Sequence, residues 1–302
     1  MFNLPKCAEM LARCSELHRQ GIYTTLEHER LTRKYNDLLT LFEGAGAYNW
    51  GQTFYLLFMR SLGDEANREV FMEIARRLPL LSLMREKSSP MKIEAMLIGV
   101  SGFLDAYSNK EYIAPLKMEA KYLMHKYQIS PMDINHWDLK RIRPFNHPVV
   151  RLSQVATLIS SHDILFSDVL ECKTRQDVES IFRVEATKHL CDTHPNLVRE
   201  EGGDITLGEN KSSLIGINLV VPIQYAYGCY TNDDNLCANA QELNENLSPE
   251  FNRYIKMWRE KGVKPHSAFE SQALIQLTTC YCQKDRCSEC PVGRRVSKGV
   301  IQ

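Results

Sequence analysis

The sequence predicts an all-α protein, and three observations support this fold class. Apolar residues recur at three- and four-residue spacing through most of the 302-residue chain, which is typical of helices packed on a core. No segment shows the strict two-residue alternation of a half-buried strand, and no Asn-Gly hairpin dipeptide is present. The composition, 44% hydrophobic and 25% charged, is that of a globular protein with ample material for a core. We therefore predict a multi-helix globular fold with two packed helical halves and a C-terminal cysteine-rich loop.

Helix start and stop signals define the elements of the first half. Thr24 and Glu27 stand at the spacing of a capping box, and Gly44 is a helix terminator, so a helix is predicted between them. A further helix is predicted to end before Pro79, because proline cannot continue a helix. The segment SPMKIEAMLIGVSGFL is apolar nearly all round and is predicted to be a buried helix.

The second half carries similar signals. Ser248 is predicted to cap a helix that has Pro249 in its first turn and Gly262 as its terminator. Ser267 and Glu270 form another capping box. The segments EYIAPLKMEAKYLMHKY, at the end of the first half, and HPVVRLSQVATLISS are amphipathic and predict two further helices. A third is predicted in TRQDVESIFRVEATKHL, which opens with Thr174 and Asp177 at capping spacing.

One segment interrupts the helical periodicity. ISPMDINHWDLKRIRPFNHP contains three prolines and no regular apolar spacing. We place the domain boundary here, which gives an N-terminal helical half, 1–128, and a C-terminal half, 129–302, that ends in the cysteine loop.

Charge and targeting signals limit the function classes. Lys+Arg and Asp+Glu both number 37, so no global field selects an anionic partner. The N-terminus lacks the apolar stretch of a secretory signal, and no apolar run is long enough to cross a membrane. We expect a cytoplasmic protein without a membrane partner, in which cysteines are thiols or ligands rather than disulfides.

The sharpest chemical signal is the cysteine pattern Cys280-x-Cys282-x4-Cys287-x2-Cys290. Such spacing is typical of structural zinc sites or, less often here, iron–sulfur clusters, and a loop of free thiols without metal is the equal alternative. If one helix continues through Cys280 and Cys282, their side chains point about 200° apart. That geometry leaves Cys282, Cys287 and Cys290 as the firmer metal ligands and Cys280 as the doubtful fourth. Cys7, seven residues before Cys14, is predicted to be a core residue.

Two local basic clusters predict contact with phosphate groups. No acid interrupts the run of bases between residues 140 and 151, and the C-terminal tail is also basic. The candidate nucleic-acid-binding residues are Lys140, Arg141, Arg143, Arg151, Arg294 and Arg295. Trp137 or Phe145 could stack on a base. The alternative is that these arginines cap helices or pair with acids such as those at 233–250.

The stretches ERLTRKYNDLL, IEAMLIGVSGFL, RPFNHPVVRLSQVATLI and SQALIQLTTCYCQKDRCSECPVG resemble a bacterial family known only as a domain of unknown function. Longer members of that family carry an N-terminal domain with Gly-Pro-Asp and Glu-x-His-x-Lys patterns, similar to restriction-type nucleases. This sequence has neither pattern and begins in the helical region. The resemblance therefore implies a helical region associated with nucleases but without their catalytic residues.

A second, local resemblance links Cys280-x6-Cys287-x2-Cys290-Pro291 to helix-hairpin-helix DNA glycosylases. That family's fourth cysteine would fall on Val296, and its glycine hairpin is missing. No catalytic residue is carried over.

Three functions follow from these observations. The first is a nucleic-acid-binding or accessory module without catalytic residues of its own. The second is a non-catalytic protein-interaction protein or truncated relic, whose partner is another protein. The third, a glycosylase-like DNA repair enzyme, lacks the hairpin it requires.

Overall fold

The computed structural model describes residues 4–140, 142–193 and 205–297. These residues are predominantly helical, and their β-structure consists of one isolated antiparallel bridge between Glu185 and Thr206. The predicted all-α fold class is confirmed. Within this part of the chain, no helix is both long and apolar enough to cross a membrane.

The α-helices account for most of the described residues. Their bounds are α1 Leu4–Arg13, α2 Glu16–Glu43, α3 Trp50–Leu62, α4 Arg68–Arg77, α5 Leu80–Met84, α6 Pro90–Val100, α7 Phe103–Ala106, α8 Lys110–Lys126, α9 Pro148–Ser161, α10 Leu165–Glu171, α11 Arg175–Phe182, α12 Lys188–Thr193, α13 Glu209–Ile215, α14 Val221–Thr231, α15 Asp234–Asn246, α16 Arg253–Glu260, α17 Ala268–Gln276 and α18 Gly293–Ser297. Gly216–Val220 and Leu277–Tyr281 are π-helical, and Ile134–His136, Pro144–Asn146 and Cys282–Lys284 are 3₁₀ turns.

Several predicted boundaries are confirmed and two are wrong. Helix α2 ends at Glu43, before Gly44, but it begins at Glu16. Thr24 is therefore inside the helix, where its hydroxyl donates to the Gln20 carbonyl at 2.9 Å instead of capping. Capping signals are local, and here the apolar face of the longer helix overrides them.

The second wrong boundary concerns α16. Asn252, rather than Ser248, caps this helix, and its side-chain oxygen accepts from the backbone N–H groups of Tyr254 and Ile255. The predicted Ser267 cap of α17 is confirmed, with the Glu270 N–H donating to the Ser267 hydroxyl oxygen at 3.3 Å.

The chain forms two compact units. The first comprises Met1–Leu39, Lys173–Arg175 and Gly216–Gln302, and the second comprises Thr40–Cys172 and Gln176–Ile215.

The core of the first unit contains the fully buried Trp258 of α16. The indole N–H of Trp258 donates to the hydroxyl oxygen of Thr278 at 2.8 Å, which satisfies the one polar group of this side chain. Cys282 and Cys290 belong to the same buried cluster. The C-terminal cysteine segment is thus packed on the core rather than extended from it.

The second unit contains α6, whose last eight residues, Ile93–Val100, are all buried, as its apolar sequence predicts. The segment that we predicted to be a domain boundary packs onto the end of this helix. The Met132 N–H donates to the Val100 carbonyl at 2.8 Å, and the Trp137 indole N–H donates to the Ser101 carbonyl at 2.9 Å. The division predicted between residues 128 and 129 thus falls inside the second unit.

The side chain of Glu94 on α6 is fully buried and accepts hydrogen bonds. The hydroxyl groups of Tyr112 and Thr187 donate to its two carboxyl oxygens at 2.8 and 2.7 Å. Burial is the largest cause that raises the pKa of this carboxyl above its ordinary value. These hydrogen bonds connect α6, α8 and the turn before α12.

Candidate functional site

The second unit contains a partly enclosed pocket of about 420 Å³ next to the end of α3. The start of α9 and the helix α13 close its other sides. Its lining residues are Leu62, Gly63, Asp64, Asn67, Phe71, Ile142, Arg143, Asn146, Pro148, Arg151, Asn210, Lys211 and Leu214. The pocket brings together basic side chains that are far apart in the sequence.

Arg151 lies in the first turn of α9 and is 7% exposed. Its guanidinium donates to the side-chain oxygen of Gln154 at 2.9 Å and to that of Asn146. Burial lowers the pKa of Arg151 to about 10. In the described part of the chain, no carboxylate lies at ion-pair distance from it. The neutral amide partners fix the orientation of the guanidinium without neutralising its charge.

Lys211 on α13 is the second cation of this pocket. Burial lowers the pKa of its ammonium group to about 8, and the positive charges of Arg151 and Arg68 lower it further, while Asp64 opposes them. A bound anion would therefore stabilise the protonated form of Lys211.

The charges of the lining are unbalanced. Arg143, Arg151 and Lys211 face one carboxylate, that of Asp64. One oxygen of Asp64 accepts from the backbone and side-chain N–H groups of Asn67, at 2.9 and 3.1 Å. Because the Asp64 carboxylate is already hydrogen-bonded to Asn67, the excess positive charge of the pocket lining remains available to a ligand. Such a site is suited to a phosphate group, which arginine binds through paired N–H donors.

The structure places the predicted phosphate-binding residues in different locations. Arg143 and Arg151 line the pocket, while Lys140 is exposed outside its lining. Arg141 lies outside the described residues. Arg294 and Arg295 belong to the first unit, where Arg294 is exposed and Arg295 is partly buried.

Sequence reasoning missed Lys211 and misassigned an aromatic side chain. Lys211 lies in GENKSS, which lacks the glycine spacing of a phosphate-binding loop, and no sequence signal joins it to Arg151. Trp137 is 7% exposed and packs edge-to-face on Phe71, so it cannot stack on a base. Phe145 is partly exposed.

In the C-terminal segment, the helix continues through Cys280 as a π-helical turn. The thiol of Cys280 donates to the side-chain oxygen of Gln276 at 3.3 Å, within the helix. Cys282, two residues later, is 7% exposed and packs in the core. Cys280 is partly buried and packs against the same buried cluster.

After Cys282, the chain turns tightly around the last two cysteines. Asp285 adopts a left-handed conformation, with φ of 53°. The Cys290 N–H donates to the Arg286 carbonyl at 3.1 Å, and the Gly293 N–H donates to the Cys290 sulfur at 3.3 Å. A Cβ at Gly293 would lie 2.3 Å from the Cys287 carbonyl oxygen, so only glycine fits there. In the next turn, the Arg294 guanidinium donates to the Ser288 carbonyl at 3.0 Å.

A fourth cysteine, Cys7 of α1, packs against the buried cluster that contains Cys282 and Cys290. Burial raises the pKa of Cys7 to about 11, and the neighbouring thiolates of Cys290 and Cys287 add to this shift. Burial likewise raises the pKa of Cys282 to about 12, with Cys290, Cys7 and Cys287 as further causes. Cys7 therefore packs against the core cluster and lies near the other three thiols.

These thiols do not surround one point closely. Among residues 4–140, 142–193 and 205–297, no group of three or more His, Cys, Asp or Glu side chains is arranged to hold a single metal ion. The predicted ligand set of Cys282, Cys287, Cys290 and Cys280 remains a prediction.

Comparison with known proteins gives one match. A family model described as "Protein of unknown function (DUF2851)" matches residues 2–253. No curated protein and no solved structure matches the chain. The matched range ends before the cysteine segment, so the resemblance predicted for that segment is supported by its sequence alone.

Proposed function

The chain belongs to the DUF2851 family, and because the function of that family is unknown, we propose one from the pocket of the second unit. The protein binds nucleic acid and holds a backbone phosphate between Arg151, Lys211 and Arg143. It acts as a binding module without catalytic residues of its own.

The observation that carries this proposal is the buried guanidinium of Arg151, which no carboxylate of the described residues neutralises. Burying a charge is costly unless a partner compensates for it. The amide oxygens of Gln154 and Asn146 provide hydrogen bonds but no negative charge. A phosphate oxygen would supply that charge and would also favour the protonated form of Lys211.

The shape of the pocket agrees with a phosphate that belongs to a chain. Its volume of about 420 Å³ exceeds that of one phosphate group and leaves room for the attached sugar. The pocket is partly open to solvent, and Arg143 in its lining is exposed. A polymer could thus enter with one phosphate inside and continue outside.

The experiment is a binding titration of the full chain with labelled single- and double-stranded DNA and RNA across a salt series. Affinity should fall as salt rises, because each phosphate contact releases counterions. Arg143→Ala and Lys211→Gln should each weaken binding to all sequences and reduce the salt slope by about 1.

Lys121→Gln is the matched control, since Lys121 is exposed on α8 of the same unit and does not line the pocket. It should leave the slope unchanged. Absence of binding at low salt, or equal losses in Lys121→Gln and Lys211→Gln, would overturn the proposal. Competition with inorganic phosphate is a further test. If nucleic acid occupies the pocket, inorganic phosphate should displace it. If the pocket holds only free phosphate and nucleic acid binds elsewhere, inorganic phosphate should displace none.

A further inference from the structure

We propose that an apolar cavity in the second unit binds a small uncharged ring compound with one carbonyl oxygen, to which the Tyr55 hydroxyl donates. The cavity has a volume of about 160 Å³ and lies between α3, α5, the end of α9 and the start of α10. It shares no lining residue with the phosphate pocket, so the two sites are separate. Its lining residues are Gly51, Phe54, Tyr55, Phe58, Leu80, Met84, Ile159, Ile164, Leu165 and Phe166.

The lining of this cavity is almost entirely apolar. Of the ten described residues that form it, none is charged, and only Tyr55 has a side chain with an O–H or N–H group. Phe54, Phe58 and Ile159 are fully buried. An ordered water needs two to four polar partners, so such a lining disfavours water. An apolar molecule would instead provide the dispersion contacts that an empty space lacks.

The size of the cavity and its aromatic rings indicate the class of ligand. Apolar protein cavities of about 150 Å³ stay dry and accept benzene, and the volume here is about 160 Å³. The rings of Phe54 and Phe58 are stacked with centroids 6.1 Å apart, and the tilted ring of Phe166 lies 6.2 Å from that of Phe54. A ligand ring can join this cluster in the offset or edge-to-face arrangement that aromatic pairs prefer.

The hydroxyl of Tyr55 supplies the polar element of recognition. This hydroxyl is buried and has no hydrogen-bond partner among the described residues. Burial raises the pKa of Tyr55 above its ordinary value, so the group stays protonated and can donate. Buried polar side chains usually have a partner, and a missing partner is costly. Because the O–H bond rotates to suit an acceptor, the carbonyl oxygen of a bound ligand would satisfy it.

The cavity is accessible from the surface at the start of α10. Ile164, which lines the cavity and precedes this helix, is 62% exposed. Leu80 and Met84 of α5 are partly buried, whereas Tyr55 lies in the interior. A small molecule can therefore enter beside Ile164 without unfolding of the unit.

The experiment compares two probes of similar shape in ligand-observed NMR titrations of the full chain. Acetophenone carries the carbonyl oxygen, and isopropylbenzene has a methyl group in its place. Both should bind saturably. Tyr55→Phe should weaken the binding of acetophenone about 2- to 12-fold, as expected for the loss of one neutral hydrogen bond, and should leave isopropylbenzene unchanged. Without ligand, Tyr55→Phe should resist urea at least as well as the native protein, because the removed hydroxyl has no partner among the described residues.

Leu80→Trp and Leu81→Trp form a matched pair of variants. Leu80 lines the cavity, while the adjacent Leu81 is 62% exposed and is not part of the lining. Leu80→Trp should fill the cavity and abolish binding of both probes, and Leu81→Trp should bind them as the native protein does. Circular dichroism checks that both variants are folded.

Two sets of results would contradict the proposal. The site is wrong if the native protein binds neither probe saturably, or if folded Leu80→Trp binds both probes as tightly as Leu81→Trp does. The role of the Tyr55 hydroxyl is wrong if Tyr55→Phe retains the native affinity for acetophenone, loses affinity for both probes equally, or is less stable to urea than the native protein.

Discussion

Lys211 makes nucleic-acid binding depend on pH if its ammonium group holds a phosphate. The pKa of this lysine in the free protein is lowered to about 8, by burial and then by the charge of Arg151. The protonated form is the one that binds. Binding is therefore tightest below about pH 8 and weakens as pH rises, because the free protein then loses the Lys211 proton that the complex retains.

The magnitude follows from linkage. Above the pKa of about 8 in the free protein, the dissociation constant rises about tenfold for each pH unit. The rise stops when the lysine in the complex also deprotonates. A charge-assisted hydrogen bond contributes about 1.5–3 kcal/mol, so the total loss is about 10- to 150-fold. Lys211→Arg retains its charge throughout this range and should bind with little pH dependence.

Fluorescence anisotropy with one labelled oligonucleotide at constant ionic strength, from about pH 7 to about pH 10, measures this effect. A dissociation constant of the native protein that stays constant over this range would refute the reasoning. An equal fall in Lys211→Arg would show that another group titrates.

Two further predictions concern the polar core and a pair of thiols. Glu94→Ala removes the acceptor of the Tyr112 hydroxyl, while the Thr187 hydroxyl keeps the Ser153 hydroxyl as a partner at 3.0 Å, and the loss of the buried acceptor should cost about 1–3 kcal/mol of unfolding free energy in urea titrations. The raised pKa of Glu94 means that stability should fall as pH rises from the unfolded value of this carboxyl through its folded value, and Glu94→Gln should remove that fall. The sulfur atoms of Cys229 and Cys237 lie 3.7 Å apart, so mild oxidation should join them in a disulfide that peptide mass mapping detects.

Controls make these outcomes specific. Glu111→Ala removes an exposed carboxylate from α8 and should change stability by no more than about 0.5 kcal/mol. A Glu94→Ala protein as stable as this control would contradict the role of the buried carboxylate. Cys229→Ser should abolish the cross-linked peptide, and its persistence in that variant would contradict the assigned pairing.

The helical fold was predictable because helix formation leaves a local periodic signal. Every residue of Ile93–Val100 is buried, which the nearly uniform apolar sequence of this segment indicates directly. Gly44 and Pro79 also stop helices through properties of the backbone alone. Thr24 failed as a cap because burial of a longer helical face outweighs one local hydrogen bond.

The candidate sites were predictable only in part. Arg143 and Arg151 are close in the sequence and share a basic composition, so their cluster was visible. Lys211 joins them across about 60 residues of sequence, and no spacing rule connects such distant positions. Trp137, which the sequence suggested as a stacking platform, is held in the core by its hydrogen bond to Ser101.

The surroundings of the cysteine segment were also predictable only in part. The sequence by itself determined that Cys282, Cys287 and Cys290 lie within one short turn, because chain connectivity limits how far they can separate. Only the tertiary structure decided that Cys7 is their neighbour, since the packing of α1 on the first unit brings the two ends of the described chain together. Local backbone chemistry thus fixed the helices, while long-range apolar burial fixed which charged and thiol side chains meet.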